Sequence, residues 1–196
     1  MVRDPLPSFL STAGRGPDLT ADDNGVTFMI VCAGGPFVAV LRRLQVELDT
    51  GRRVSVVATP QAAAWIEHYE AGSTIEAMTG WPVRSAMPTP DEATFEPAGS
   101  SVLVSPCTLN TLTKWADGHS DNLAISLLCE AVGRGVPTRA EVSLSGPYAT
   151  LPATRDALDR LAGLGVDLCR AYGTTEPVDV APLPDAIAER LRPTPG

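Results

Sequence analysis

The chain has 196 residues and a formal net charge of -8, with 44% hydrophobic and 19% charged residues. This length and composition predict a folded protein with a sizeable core. The acidic balance argues against nucleic-acid binding, which needs clustered Lys and Arg to contact phosphates. The four cysteines lie in or beside apolar runs and form no CxxC pair. We therefore expect neither a disulfide framework nor a metal site.

The two ends of the chain differ in composition from its middle. Residues 1–25 are rich in Pro, Gly and Asp and lack the apolar core of a signal peptide. We expect a flexible arm there, one folded domain over residues 26–180, and a C-terminal helix and tail over residues 181–196. No apolar run approaches the roughly 20 residues that span a bilayer. We expect a cytoplasmic protein with no membrane partner.

Apolar runs alternate with segments of helical periodicity along the middle of the chain. Strands are predicted at residues 26–32, 53–58, 101–105, 140–145 and 166–170. The proline-rich stretch 81–100 is expected to be a long loop with a short strand near Val83. Near-continuous apolar strands separated by helices are typical of parallel sheets built from βαβ units. The sequence therefore predicts an α/β fold: a three-layer, doubly wound, mostly parallel sheet of the Rossmann or flavodoxin-like type.

In such sheets, ligands bind beyond the carboxyl ends of the strands, where the strand order switches. Four predicted loops lie there: residues 33–37, 58–62, 105–111 and 143–148. In the first, Gly34 and Gly35 precede a helix, a pattern that allows close approach of a phosphate and fits a plain tight turn equally well. In the second, the Thr59 hydroxyl can cap the following helix, bind a ligand, or do both.

The turn at residues 105–111 concentrates polar groups at the start of a helix. The positive end of a helix dipole is expected in this turn. Four polar residues lie there: Ser105, Thr108, Asn110 and Thr111. Capping accounts for one or two of these groups, and the remainder are either surface turn residues or ligand contacts. The residues alone therefore favour a nucleotide-like ligand at this edge of the sheet.

The segment SPCTLNTLTKWADGHSDNL, residues 105–123, resembles the PASANT segment of the homo-oligomeric flavin-containing cysteine decarboxylases, which runs roughly APASANTLAKIANGIADNLL. Ten positions agree: Pro106, Asn110, Thr111, Leu112, Lys114, Ala116, Gly118, Asp121, Asn122 and Leu123. The resemblance extends from about residue 26 to residue 166. In this resemblance, the loop after the first strand corresponds to the family's first loop. Thr59 corresponds to the family's Ser or Thr after the second strand.

The resemblance implies FMN as cofactor, bound between the subunits of a homotrimer that often assembles further into a homododecamer. It implies that one set of residues contacts the flavin and its phosphate: Gly34, Gly35, Pro36, Thr59, Ser105, Thr108, Leu109, Asn110, Thr111 and Ser143. It also implies a reaction in which FMN oxidises a cysteine thiol and the product loses CO2 to leave an enethiol.

The expected catalytic histidine of the family is missing. Its position corresponds to Glu92, and the two histidines of the chain, His68 and His119, lie elsewhere. Glu92 or Asp91 can replace a histidine as base if an apolar pocket raises the pKa of the carboxyl group. The alternative is a pair of solvated acids on a loop.

A second departure concerns substrate binding. The family's PAMN segment corresponds to VSLS, residues 142–145, so that Ser145 stands where an asparagine would bind the substrate carboxylate. A serine still donates a hydrogen bond, with shorter reach. We therefore predict Glu92, Asn110 and Ser145 as catalytic residues.

The leading hypothesis is FMN-dependent oxidative decarboxylation of a C-terminal cysteine in a peptide, as in aminovinyl-cysteine biosynthesis. The partner would be a peptide or small molecule that ends in cysteine. Three alternatives stay open: a non-catalytic FMN-binding subunit, a phosphopantothenoylcysteine decarboxylase, and a relative of the flavin prenyltransferases. The Asn110–Thr111 turn favours the decarboxylases over the prenyltransferases.

Overall fold

The computed structural model describes residues 25–89, 99–144 and 146–170. The expected N-terminal arm, the C-terminal helix and tail, and the catalytic candidates Glu92 and Ser145 lie outside these residues. In the described part of the chain, no helix combines the length and the apolar character needed to cross a membrane.

The described residues form five strands and seven helices, with one or two helices between successive strands. The strands are β1 (Val26–Val31), β2 (Arg53–Ala58), β3 (Gly99–Cys107), β4 (Thr138–Val142) and β5 (Asp167–Arg170). The helices are α1 (Phe37–Asp49), α2 (Pro60–His68), α3 (Gly72–Thr79), α4 (Leu109–Ala116), α5 (Leu123–Gly133), α6 (Gly146–Ala149) and α7 (Pro152–Gly163).

The five strands form one parallel sheet in the order β2-β1-β3-β4-β5. The predicted doubly wound fold is confirmed. Near Val83, where a short strand was expected, the described residues form only an isolated parallel bridge between Arg84 and Val57, on the outer side of β2. The chain leaves β1 toward β2 on one side, whereas β3 lies on the other. The strand order therefore switches between β1 and β3, where this fold places its ligands.

Helices cover both faces of the sheet, as the alternation of side chains along β1 shows. Phe28 and Ile30 join the apolar cluster that contains residues of α4, α5 and α7. Met29 and Val31 join the cluster formed with α1, α2 and α3. All six residues of β1 are buried, which explains why its sequence is apolar without alternation.

Helix starts agree with the sequence, whereas several element ends differ. The Thr59 hydroxyl caps α2 by accepting a hydrogen bond from Ala62 N at 3.3 Å, and Pro60 opens the helix. Helix α2 ends at His68, and Glu70 adopts a positive φ of 49° before α3 begins, a helix that the sequence pattern does not predict. Strand β3 continues to Cys107, beyond the expected end at Ser105, because Cys107 O accepts a hydrogen bond from Ser143 N.

Candidate functional site

A cleft of about 380 Å³ lies beyond β1 and β3, at the switch in strand order. Three of the four predicted loops contribute to it. Its lining consists of Ala33, Thr59, Pro60, Gln61, Thr108, Asn110, Thr111, Lys114, Asp121, Asn122 and Ile125. Four of the predicted cofactor-binding residues are thus brought together in one cavity: Thr59, Thr108, Asn110 and Thr111.

Helices α2, α4 and α5 begin at the lining of this cleft, and α1 begins four residues after Ala33. Thr108, the residue before α4, is extended and makes no side-chain capping bond within the described residues. The first N–H groups of α4 are therefore available to a ligand, and the helix dipole favours a negative charge there. Helices α2 and α5 begin at the capping residues Thr59 and Asn122, and in the first turn of α1 Ala39 N donates to Pro36 O. Such a set of donors suits a phosphate group.

The loop after β1 packs directly against the turn after β3. A Cβ atom placed on Gly34 would lie 2.6 Å from Thr108 Cγ2 and 3.7 Å from Pro106 Cγ. The first distance is shorter than real side chains tolerate, so only glycine fits without a shift of the turn. Gly35 has open space around it but a positive φ of 68°, which glycine adopts at no steric cost. The two glycines are required for different reasons.

Thr111 accepts hydrogen bonds from within the protein. Its hydroxyl oxygen accepts from Cys32 Sγ at 3.2 Å and from Thr108 Oγ1 at 3.5 Å. Burial raises the pKa of Cys32, so the thiol keeps the proton that it donates. The proton of the Thr111 hydroxyl can then be donated toward the cleft, where this residue is part of the lining.

Lys114, Asp121 and Asn122 form one wall of the cleft and join α4 to α5. Lys114 forms an ion pair with Asp121, and Asn122 Nδ2 donates to Asp121 Oδ1 at 2.9 Å. The hydrogen bond from Lys114 lowers the pKa of Asp121. Asn122 also caps α5 by accepting from Ile125 N. We had not predicted these three residues as site residues, although all three agree with the family segment.

Other predicted site residues lie outside the cleft lining. Ser105 is buried, and its hydroxyl donates to Glu141 Oε2 at 2.6 Å. Leu109 is half-buried in the first turn of α4. Ser143 follows β4, where its N–H donates to Cys107 O. Gly35 and Pro36 are exposed and lead into α1.

The two histidines also lie away from the cleft lining. His68 ends α2 and makes an edge contact with Tyr69. His119 follows α4, and its carbonyl accepts a hydrogen bond from Cys129. Among the described residues, no group of His, Cys, Asp and Glu is arranged to hold a metal ion.

Comparison with solved structures shows the same fold. SpaF, an FMN-dependent cysteine decarboxylase, matches with a TM-score of 0.66 at 21% identity, over 87% of this chain and 97% of that one. The epidermin biosynthesis protein EpiD from Staphylococcus aureus gives 0.58 at 17%, over 73% and 81%. A dodecameric FMN-dependent Ubix-like decarboxylase from Escherichia coli O157:H7 gives 0.59 at 16%, over 84% and 89%.

Sequence comparison assigns the family. A search of curated proteins found no significant match. A family model described as Flavoprotein, however, matches residues 20–178, which is most of the chain. This match confirms the predicted class of cofactor, a flavin, and agrees with a cleft whose donors suit a phosphate. The chain belongs to the Flavoprotein family.

Proposed function

We propose that the protein binds FMN in the cleft between β1 and β3 and decarboxylates a cysteine at the C-terminus of a peptide. The observation that carries the proposal is that α2 and α4 begin at one cleft, next to the contact between Gly34 and Thr108. The likeness to SpaF, named an FMN-dependent cysteine decarboxylase, and to EpiD, named for epidermin biosynthesis, supports the choice of reaction and of a peptide substrate.

The donors in the cleft fit FMN. Within the described lining, the one cationic side chain is Lys114, and it is paired with Asp121. The phosphate would therefore be held by backbone N–H groups at the starts of α1 and α4 and by the Thr59 hydroxyl. The glycine at position 34 lets the loop after β1 pack against the turn that carries Thr108 and Asn110.

The proposed reaction removes CO2 and two hydrogens from the terminal cysteine and leaves an enethiol. When bound, FMN would accept the two hydrogens. Asn110, exposed in the cleft, would orient the substrate through its amide. The hydroxyl of Thr111 would donate its proton to a ligand acceptor, because its oxygen already accepts from Cys32.

Glu92 and Ser145 complete the proposed catalytic set. Glu92 would take up the proton that the family histidine handles, and Ser145 would bind the substrate carboxylate. We also propose a homotrimer or a homododecamer, supported by the likeness to a dodecameric decarboxylase. Light scattering on the purified protein measures the mass of the assembly and distinguishes a trimer from a dodecamer.

The test begins with the absorption spectrum of the purified protein, which should show bound flavin. Peptides that end in Cys should then lose CO2 and two hydrogens by mass spectrometry, whereas the same peptides ending in Ser, or in Cys amide, should not change. Glu92→Gln should abolish the loss while flavin stays bound. If FMN is bound but no Cys-terminal peptide loses CO2 and two hydrogens, the remaining interpretation is a non-catalytic flavin-binding subunit. If the protein instead decarboxylates phosphopantothenoylcysteine, its substrate is a small molecule and not a peptide.

A further inference from the structure

A carboxylate is buried in β4, behind the cleft. Glu141 is 3% exposed. Its Oε1 accepts a hydrogen bond from Arg43 Nε at 2.7 Å, and its Oε2 accepts one from Ser105 Oγ at 2.6 Å. Both carboxylate oxygens are thus bonded, which offsets the cost of removing the charge from water.

The charges around Glu141 are balanced on the α1 side of the sheet. Arg43 also lies 2.5 Å from Glu47 in an ion pair, and Glu47 lies 2.5 Å from Arg52. Burial alone would lower the pKa of Arg43, but the carboxylates of Glu141 and Glu47 outweigh it and raise this pKa. Arg43 is therefore charged at neutral pH. Buried ion pairs of this kind add little net stability compared with apolar residues, so their presence points to a role in fixing geometry.

Glu141, on β4, is bonded to α1 and to β3, and both of these elements adjoin segments that line the cleft. Arg43 belongs to α1, which begins directly after the loop containing Gly34. Ser105 immediately precedes Pro106, and the turn then continues to Thr108, whose methyl group packs on Gly34. The carboxylate itself does not belong to the cleft lining. In the family segment that this turn resembles, alanine precedes the proline, so the hydroxyl at position 105 lies outside the shared pattern.

We infer that Glu141 is a positioning residue for the cofactor: through Ser105 it holds the turn from Pro106 to Asn110 against the loop after β1. The inference rests on the proposed binding of flavin in this cleft. It assigns Ser105, expected from the family alignment to contact the flavin, a supporting role behind the cleft. Removing the link should loosen the turn and weaken FMN binding without removing any group that touches the ligand.

The test uses Ser105→Ala, which breaks the link but leaves the ion pair between Glu141 and Arg43. FMN affinity, measured by quenching of flavin fluorescence, should fall about tenfold, the scale of one hydrogen bond to a charged group. The circular dichroism of the bound flavin should change as well. Ser105→Thr keeps the hydroxyl and should restore affinity to within about twofold of the original protein.

The matched control is Ser101→Ala. Ser101 lies on the same strand, is equally buried, and shares a hydrogen bond of 2.8 Å with Thr27, but it lies four residues before Ser105. This variant should lose stability comparably and bind FMN like the original protein. Equal FMN affinity in Ser105→Ala and the original protein would overturn the inference, and so would equal losses in Ser105→Ala and Ser101→Ala.

A second variant, Glu141→Gln, removes the charge that Arg43 faces. It should lower both FMN affinity and thermal stability, since among the described residues the buried Arg43 then has as counter-charge only Glu47, which it shares with Arg52. If this variant does not fold, Ser105→Ala decides alone. Failure of the unmodified protein to bind FMN would contradict the proposed function, whereas normal binding with an unaffected Ser105→Ala contradicts only the role of Glu141.

Discussion

Gly34 and Thr108 touch across the gap between the loop after β1 and the turn after β3, and a Cβ atom on Gly34 would lie 2.6 Å from Thr108 Cγ2. We expect Gly34→Ala to push these segments apart, lowering stability by about 1–3 kcal/mol, as overpacking usually does. FMN affinity should fall about tenfold, or about 1.4 kcal/mol, because the turn that would be displaced carries Thr108 and Asn110 of the cleft lining. Chemical denaturation and flavin titration measure the two effects.

A compensating substitution distinguishes a steric clash from other causes. Thr108→Ser removes the methyl group that the new Cβ would strike and keeps the hydroxyl. The double variant Gly34→Ala/Thr108→Ser should therefore bind FMN better than Gly34→Ala alone. Gly133→Ala is the control, because Gly133 ends α5 with no atom near the added Cβ. If the double variant shows no recovery, the contact with Thr108 is not what requires glycine.

Leu112 belongs to the apolar core and lies on the helix that contributes Asn110 and Thr111 to the cleft. It is fully buried in α4, one residue after Thr111. Leu112→Ala should cost about 2–5 kcal/mol of unfolding free energy, because it leaves a cavity in a packed core. Leu164, at the end of α7, is 59% exposed, and Leu164→Ala should change stability by no more than about 0.5 kcal/mol. Urea denaturation compares the two, and similar losses would contradict the burial of α4 described above.

Stability should fall in alkali because of buried thiols. Burial, followed by the nearby Glu141 carboxylate, raises the pKa of Cys169 from 9.0 to about 12. The unfolded chain therefore loses this proton at a lower pH than the folded protein. The stabilisation from Cys169 is complete below pH 9.0 and is lost as the pH rises toward about 12.

The corresponding measurement compares the original protein with Cys169→Ala. Each such thiol contributes a slope of about -1.4 kcal/mol per pH unit in this range. The variant, which lacks one of these protons, should show a shallower decline of unfolding free energy above pH 9.0. Parallel slopes for the two proteins would show that Cys169 does not keep its proton when folded.

The sequence was sufficient for features encoded by neighbouring residues. The run Val26–Val31 predicted a strand buried on both faces, and Thr59 with Pro60 predicted the start of α2. The turn near Asn110 contributes Thr108, Asn110 and Thr111 to the cleft lining, and their contact with a cofactor stays a prediction. Each of these depends on a local pattern: continuous apolarity, a cap followed by proline, or polar groups ahead of a helix.

Features that depend on the direction of a side chain were not predictable in the same way. Ser105 shares its turn with Thr108, yet its hydroxyl bonds to Glu141 on the α1 side of the sheet. The pairing of β3 with β4 is irregular between Val104 and Cys107, so the alternation of faces could not be counted through the turn. Glu141 gave one usable signal, a carboxylate between Ala140 and Val142 in a predicted strand, which indicates a buried partner.

The contacts that define this site join distant parts of the chain. The hydrogen bond from Arg43 to Glu141 spans 98 residues, and the bond from Cys32 to Thr111 spans 79. Closing loops of this length costs chain entropy before the contact forms and offsets that cost. These pairs are therefore expected to form late in folding. Neither half of the chain alone contains the cleft. A fragment or a folding intermediate that lacks docked β3 and β4 has no place to retain the cofactor.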